Sequence, residues 1–260
     1  MHEHAERELE YMTQAILKKI AGFFDVSEDV GSLFSAICKD RIEITADTSL
    51  VSQGGAYSDV FLLDSGWVLR SRGMDNGSRQ IVNVALPGDF IALNALLFER
   101  SDFELRTKTD ILAFRFDPRE LSEALKSDAS LAAALFWVNT QEESILAERI
   151  VSLGRRNARQ RVCHVLCEFI SRLEIIGVAD ASQLVIPLSQ EEFSDILGIS
   201  VVHANKTLKA LERDEIISFR NAILMVQDRV ALEREAGFED GYLHFTRRAD
   251  KTKRNYELIQ

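Results

Sequence analysis

No run in this sequence approaches the roughly 18 consecutive apolar residues that a membrane span requires. Its first residues, MHEHAERELEYM, are acidic where a secretory leader needs a basic flank and an apolar core, so a cytoplasmic location is expected. Cysteine is scarce. Cys38, Cys163 and Cys167 are too few, and of the wrong parity, for a disulfide framework, which fits a reducing compartment. A phosphate-binding G-x-x-x-x-G-K-[ST] loop, a G-x-S-x-G nucleophile turn and an H-E-x-x-H helix are all missing. The five histidines are His2, His4, His164, His203 and His244, and none falls in residues 41–116, where strands are expected. A β-barrel oxygenase, which draws on two histidines and a carboxylate, is therefore disfavoured. No catalytic role, resident metal or cofactor is expected. Nor is positive charge in excess: a net charge of −10 argues against indiscriminate coating of nucleic acid. A local basic surface remains open, because binding depends on how charge is distributed as well as on its total.

What is present is ordinary material for a folded chain. Apolar residues make up 46% and charged residues 28% of 260, enough for one large domain or two modest ones. Arg41 to Thr45, Val60 to Leu63, Trp67 to Arg70, Gln80 to Ala85 and Ile111 to Phe116 read as strands separated by turn residues. Gly54, Gly66, Gly77 and Gly88 stand 12, 11 and 11 residues apart, which suggests an antiparallel sandwich or rolled barrel.

Asp117-Pro118 changes the pattern, since Asp is a good N-cap and Pro suits the first helical position. From Ala129 to Leu153 there is no Pro or Gly, and Leu131, Leu135, Val138 and Ile145 recur at spacings of 4, 3 and 7. That stripe suits a seam between paired helices, with Glu142 at the skipped seat; a helix packed on its own domain gives the same stripe. Gly154 is expected to end this helix, and Asn157 to cap another running to about Ile176 with Val162, Val165, Leu166, Phe169 and Ile170 on one side. Leu184 to Pro187 reads as a short strand.

Two short helices follow. Ser189 and Glu192 make a capping box, Phe193, Ile196 and Leu197 face inward, and Gly198 can take the left-handed conformation that stops the first helix. Ser200 caps the second, which turns Ala204, Leu208 and Leu211 to the core. Ile216 to Phe219 and Ala222 to Val226 alternate around Arg220-Asn221 as a hairpin, or wing. This is the grammar of a helix-turn-helix, whose second helix enters the DNA major groove. Lys206 and Asn205 are expected at base edges, with Val202 and His203 beside them and Val201 preceding, Ser200 and Lys209 mainly at phosphates, and Ser189 also among the DNA-binding residues. An ordinary helical hairpin with solvated polar residues is the plain alternative.

The stretches SGWVLRS, LPGDFIAL, SLGRRNARQRVCHVLCEF and LSQEEFSDILGISVVHANKTLKAL together resemble the Crp/Fnr superfamily of bacterial transcription regulators. AGFEDGYLHF is similar to a C-terminal extension of one branch. The resemblance implies an α+β fold: an antiparallel β-roll like a cyclic-nucleotide-binding domain, a long dimerisation helix and a winged helix-turn-helix. It divides the chain into an N-terminal helical segment at 1–24, a sensor-like roll at 25–118, a dimerisation helix and hinge at 119–156, a DNA-binding domain at 157–236 and an extension at 237–260. It further implies a homodimer on a palindromic DNA operator, with RNA polymerase as a further partner and no membrane. Members of the family often read bases with a Glu and an Arg where this chain has Val202 and Lys206, so the common half-site does not carry over.

The effector site departs from the family too. The Gly-Glu pair of nucleotide-binding members becomes Ala92-Leu93, followed by Asn94, and their Arg-Ser becomes Ser101-Asp102. A Thr-Ser pair on the dimer helix falls near Leu146-Ala147. An aspartate at the phosphate position with no arginine to offset it reads as a lost cyclic-nucleotide site. Cys163-His164-Cys167 lacks the third or fourth ligand that a metal centre needs. Alternatives are gating by an unidentified small ligand or by thiol or metal chemistry, or a dimeric scaffold that binds no DNA.

Overall fold

The computed structural model describes Lys19, Phe34 and residues 36–177, 184–220 and 223–243. The segment 1–24 apart from Lys19, together with His2, His4, Asn221, His244 and the basic stretch Arg247–Arg254, lies outside the described residues.

Eight strands come first: β1 (Cys38–Ile44), β2 (Ser49–Val51), β3 (Val60–Ser65), β4 (Val68–Gly73), β5 (Arg79–Ala85), β6 (Phe90–Ile91), β7 (Glu104–Thr107) and β8 (Ile111–Phe116). They form two four-stranded antiparallel sheets, ordered β1-β8-β3-β6 and β2-β7-β4-β5. The evenly spaced Gly54, Gly66, Gly77 and Gly88 all have positive φ. At Gly66 the requirement is also steric, because a Cβ would lie 2.4 Å from the Asp110 carbonyl oxygen. Strand β3 lacks the polar alternation of a half-exposed strand because both of its faces are covered. Phe61 and Leu63 pack between the sheets with Val68, Leu105 and Ile111, while Val60 and Leu62 pack toward the helices.

Two helices follow, α1 (Pro118–Ser127) and α2 (Ala129–Arg155). Asp117 caps α1 through the Arg119 amide, with Pro118 in the first turn, and Asp128 caps α2 through the Leu131 amide. Gly154 does not end α2, which runs one residue further before Arg156 turns extended. The last turn needs no left-handed residue, because an arginine side chain described below takes its free carbonyls.

Helix α3 (Ala158–Ile175) opens with a full capping box between Asn157 and Gln160. Sequence periodicity predicts one apolar side, yet every residue from Val162 to Leu173 is buried, Glu168 and Arg172 included. The reason is its central position. It is surrounded by β4 and β5, by α4 (Gln190–Leu197) and α5 (Val201–Arg213), and by α6 (Arg229–Ala236). Trp67 of the roll meets Phe169 edge-on at 5.3 Å, so roll and helices share one core. A three-stranded wing, β10 (Ile217–Arg220), β11 (Ile223–Val226) and β9 (Leu184–Val185), completes the helical part. Among the described residues no helix is long and apolar enough to cross a membrane.

Candidate nucleic-acid interface and sensor cavity

Helices α4 and α5 are built as their sequence predicts. The Ser189 hydroxyl accepts from the Glu192 amide at 3.1 Å, and the Glu192 carboxylate accepts from the Ser189 amide at 2.7 Å. Gly198 closes α4 at φ +61, and the Ser200 hydroxyl accepts the His203 amide at 3.3 Å to start α5. Ala204, Thr207, Leu208 and Leu211 are buried, so the opposite side of α5 is what solvent sees. There Val202, 79% exposed, is followed by Lys206, Lys209 and Arg213, all exposed and spaced to lie on one stripe. Arg213 is absent from the sequence reading, although its distance of eleven residues from Val202, three helical turns, was a usable signal.

His203 is exposed beside this stripe and Val201 lies at its edge. Asn205 sits differently: it is half-buried, and its amide donates to Gln190 Oε1 at 2.7 Å, tying α5 to α4. In the chain without DNA that bond, which is itself exposed, turns the Asn205 side chain toward α4. The Ser189 hydroxyl is committed to its capping box, although the residue itself is exposed.

The roll grips α4 directly. Arg79 donates to Asp195 Oδ2 from Nε at 3.0 Å and from Nη2 at 2.9 Å, and Gln80 donates to the Asp195 carbonyl. Lys108 Nζ lies 2.8 Å from Glu192 Oε2. Partial burial alone would raise the Glu192 carboxyl; Lys108 and the bonds with Ser189 outweigh it and hold the group below the usual carboxylate range. From α3, Arg161 donates to three carbonyls: Arg156 at 2.9 Å, Leu153 at 2.6 Å and Leu197 at 3.0 Å. One guanidinium thus satisfies the ends of both α2 and α4, where the helix dipoles favour a cation.

Beneath the roll lies a cavity of about 50 Å³, lined among others by Arg70, Asn83, Ala92, Leu93, Asn94, Ser101, Gln141 and Glu142. That space holds about three to five waters. Ala92 carries φ +64 at the start of a 3-10 turn, Leu93–Leu96, a left-handed conformation that costs an alanine about 1–2 kcal/mol. Ser101 is buried, accepts from the Tyr57 hydroxyl at 3.0 Å and donates to the Phe103 carbonyl at 2.8 Å. Asp102 faces solvent and does not line the cavity, because Ser101 turns inward and the next residue of the chain turns out. The negative groups that line it are Glu142 and Asp89. Leu146 and Ala147 do not line the cavity either. The face of α2 that does is Val138, Gln141, Glu142 and Ile145, and the next two positions rotate about 100° and 200° away.

Leu131, Leu135, Val138 and Ile145 are each at most 6% exposed within this single chain. The first three pack on the roll core with Phe114, Phe116 and Leu121, which is the own-domain reading of their stripe. The opposite side of α2 leaves Phe136 at 73%, Ile150 at 71% and Val151 at 48% exposure, with Glu143 and Ala147 also exposed.

Cys163, His164 and Cys167 do not converge. Both thiols lie in the core, where burial pushes Cys163 up to about 12 and raises Cys167 further. Cys38 is half-buried and likewise raised by burial, to about 11. His164 instead meets Glu148 at 3.2 Å and lies between Phe238 and Tyr242, with ring centroids at 5.3 and 5.7 Å. The C-terminal turn, Asp240–Leu243, is pinned by Gln141, whose amide donates to the Leu243 carbonyl at 2.6 Å. No cluster of three or more metal-ligating side chains occurs among the described residues.

Residues 41–128 match the cyclic nucleotide-binding domain family, and residues 160–235 match the Crp-like helix-turn-helix domain family. The chain belongs to the Crp/Fnr superfamily. It is a DNA-binding transcription regulator of that superfamily rather than an enzyme. Nitrogen fixation regulation protein FixK of Azorhizobium caulinodans is 28% identical over 177 residues, covering 68% of this chain and 71% of that protein. Transcriptional activator protein FnrL of Cereibacter sphaeroides is 24% identical over 196 residues, covering 74% and 78%. The structure of FixK2 from Bradyrhizobium japonicum shares the fold, with a TM-score of 0.70 at 21% identity over 77% of this chain and 98% of that one.

Proposed function

We propose that this regulator acts in the cytoplasm as a homodimer on a palindromic operator, without control by cyclic AMP. The observation that carries the reading is the stripe Val202, Lys206, Lys209 and Arg213, an apolar residue followed by three cations on the outer face of α5. Val202 suits a thymine methyl and Lys206 a guanine edge, while Lys209 and Arg213 meet phosphates. Ser200 offers a helix N-terminus to a further phosphate. Because the expected seam residues are covered by the chain itself, the partner helix meets the other side of α2. Phe136, Ile150 and Val151 are large apolar side chains left exposed along that side, which a partner helix would cover.

Cyclic nucleotides have little to hold them. The cavity is small, its cations are already paired (Arg70 with Glu142, Lys19 and Arg172 with Asp89), and no further arginine lies at Ser101. The curated relatives include transcriptional activators, which supports contact with RNA polymerase as the output. Sedimentation velocity tests the assembly: wild type should run as a dimer and Ile150→Asp as a monomer. A monomeric wild type at micromolar concentration contradicts the reading.

A further inference from the structure

Glu142 has no counterpart among the residues that a regulator needs for DNA or for dimerisation. It projects from the middle of α2 into the sensor cavity, where Arg70 Nη1 reaches Glu142 Oε1 at 2.7 Å and Asn83 Nδ2 reaches the same oxygen at 3.0 Å. The two donors are direct cross-strand partners on β4 and β5, so the register of the sheet aims both at one point. Each is held from behind. Asn83 Oδ1 accepts the Val84 amide at 2.8 Å, which orients its NH₂ toward Glu142, and the Arg70 guanidinium lies over the Phe103 ring at 5.1 Å. The Arg70 Nε is buried and has no hydrogen-bond partner among the described residues. The sheet therefore presents a preorganised anion-binding fork with a donor to spare, and the anion in it belongs to α2.

We propose that Glu142 is a built-in occupant of the sensor site. Its carboxylate takes the place that an anionic effector would fill between sheet and helix, and so holds α2 docked without a ligand. This rests on the reading of the chain as independent of cyclic nucleotides and supplies its physical cause. A free anion has to bridge roll and helix by binding both, and binding shifts a two-state element only by its differential affinity. A tethered carboxylate makes the same bridge intramolecularly, at an effective concentration set by the helix that carries it and not by the supply of a solute. The adjacent Gln141 carries the consequence onward, because its amide holds the Leu243 carbonyl of the C-terminal turn and so links the cavity wall to the helical domain.

The proposal predicts that emptying the fork creates a site for small carboxylates. Glu142→Ala in the full chain should lower affinity for a selected operator duplex about tenfold, within the usual range for coupling between sites. Acetate, compared with chloride at equal ionic strength, should restore affinity and raise the melting temperature of Glu142→Ala. It should do neither in wild type or in Arg70→Ala/Glu142→Ala. Glu142→Gln, which keeps shape without charge and so still fills the fork, should also lower operator affinity but without rescue by acetate, and covers the case in which the alanine variant does not fold. The melting shift reads the fork without DNA, so failure of the regulator reading would show separately, as a wild type that binds no operator. The proposal is overturned if Glu142→Gln matches wild type, or if acetate acts equally on Glu142→Ala and the double variant. An acetate-induced melting shift in wild type would likewise overturn it, by showing that the fork is open to solutes.

Discussion

Arg172, buried on the central helix α3, donates to Asp89 in the Pro87-Gly88-Asp89 turn of the sensor roll. The same guanidinium holds Glu168 at 3.1 Å and the Val84 carbonyl at 3.1 Å, and Glu168 in turn holds Arg149 of α2 at 3.1 Å. Lys19 completes the set at Asp89. A run of charges thus joins the roll, α2 and the helical domain through groups that cannot separate without stranding a charge in the core.

Removing one member should be costly. Asp89→Asn keeps the shape but removes the carboxylate of Lys19 and leaves Arg172 to share Glu168 with Arg149, and should lower unfolding free energy by about 3 kcal/mol in urea denaturation. Burial alone would raise the Asp89 carboxyl, but Lys19, Arg172 and the Leu86 amide reverse this and hold it below the usual range. Its folded pKa is depressed, so its contribution is intact at neutral pH and is lost only in acid, as pH falls through that lowered value.

His164 sets a second, milder limb. Burial first, then the nearby Arg156 and Arg149 charges, lower it to about 4 against the opposing pull of Glu148. The folded protein therefore keeps the ring neutral while the unfolded chain protonates it near 6.5, so acid favours unfolding. Stability should decline as pH drops from about 6.5 toward about 4, with a slope contribution of at most about 1.4 kcal/mol per pH unit. His164→Gln should flatten that part of the profile in denaturant melts; an unchanged slope would remove His164 from the account.

Arg161 holds the geometry of the hinge. Arg161→Ala strips a charged donor from the Leu153, Arg156 and Leu197 carbonyls and should cost about 2–3 kcal/mol. Hydrogen exchange should quicken selectively at the C-terminal turn of α2 and at the junction of α4 and α5. Uniform quickening across the molecule would argue for a general packing role instead.

Much of this was legible in advance. Ser189, Glu192, Gly198 and Ser200 act through neighbours three or four residues away, so the helix-turn-helix could be read from sequence to within a residue. The strands β2, β6 and β7 could not, being only two to four residues long and without room for periodicity. The stripe Leu131, Leu135, Val138 and Ile145 was correctly apolar, but a single stripe does not say whether its partner is another chain or the same one. In sequence Glu142 is only a polar interruption of an apolar stripe, and Asn205 only a polar side chain at an outward helical angle. What fixed each was a partner far away or on another element, Arg70 at 72 residues and Gln190 across the turn. Periodicity carries no trace of such pairs.

On α5, Lys206→Ala should cost about 1–3 kcal/mol and relax preference at one base pair per half-site. Lys209→Ala and Arg213→Ala should weaken all sequences alike and flatten the salt dependence. A base-substitution scan of the operator separates the two kinds of contact. Equal loss at every sequence for Lys206→Ala would move that residue to the phosphates.

Selection of bound duplexes from a random DNA pool by the wild-type protein tests the central claim most directly. The account predicts recovery of a palindrome whose half-sites lie about 34–36 Å apart, one turn of the double helix, as two recognition helices on a dimer require. Enrichment of a single, unpaired half-site, or of no sequence at all, would contradict it.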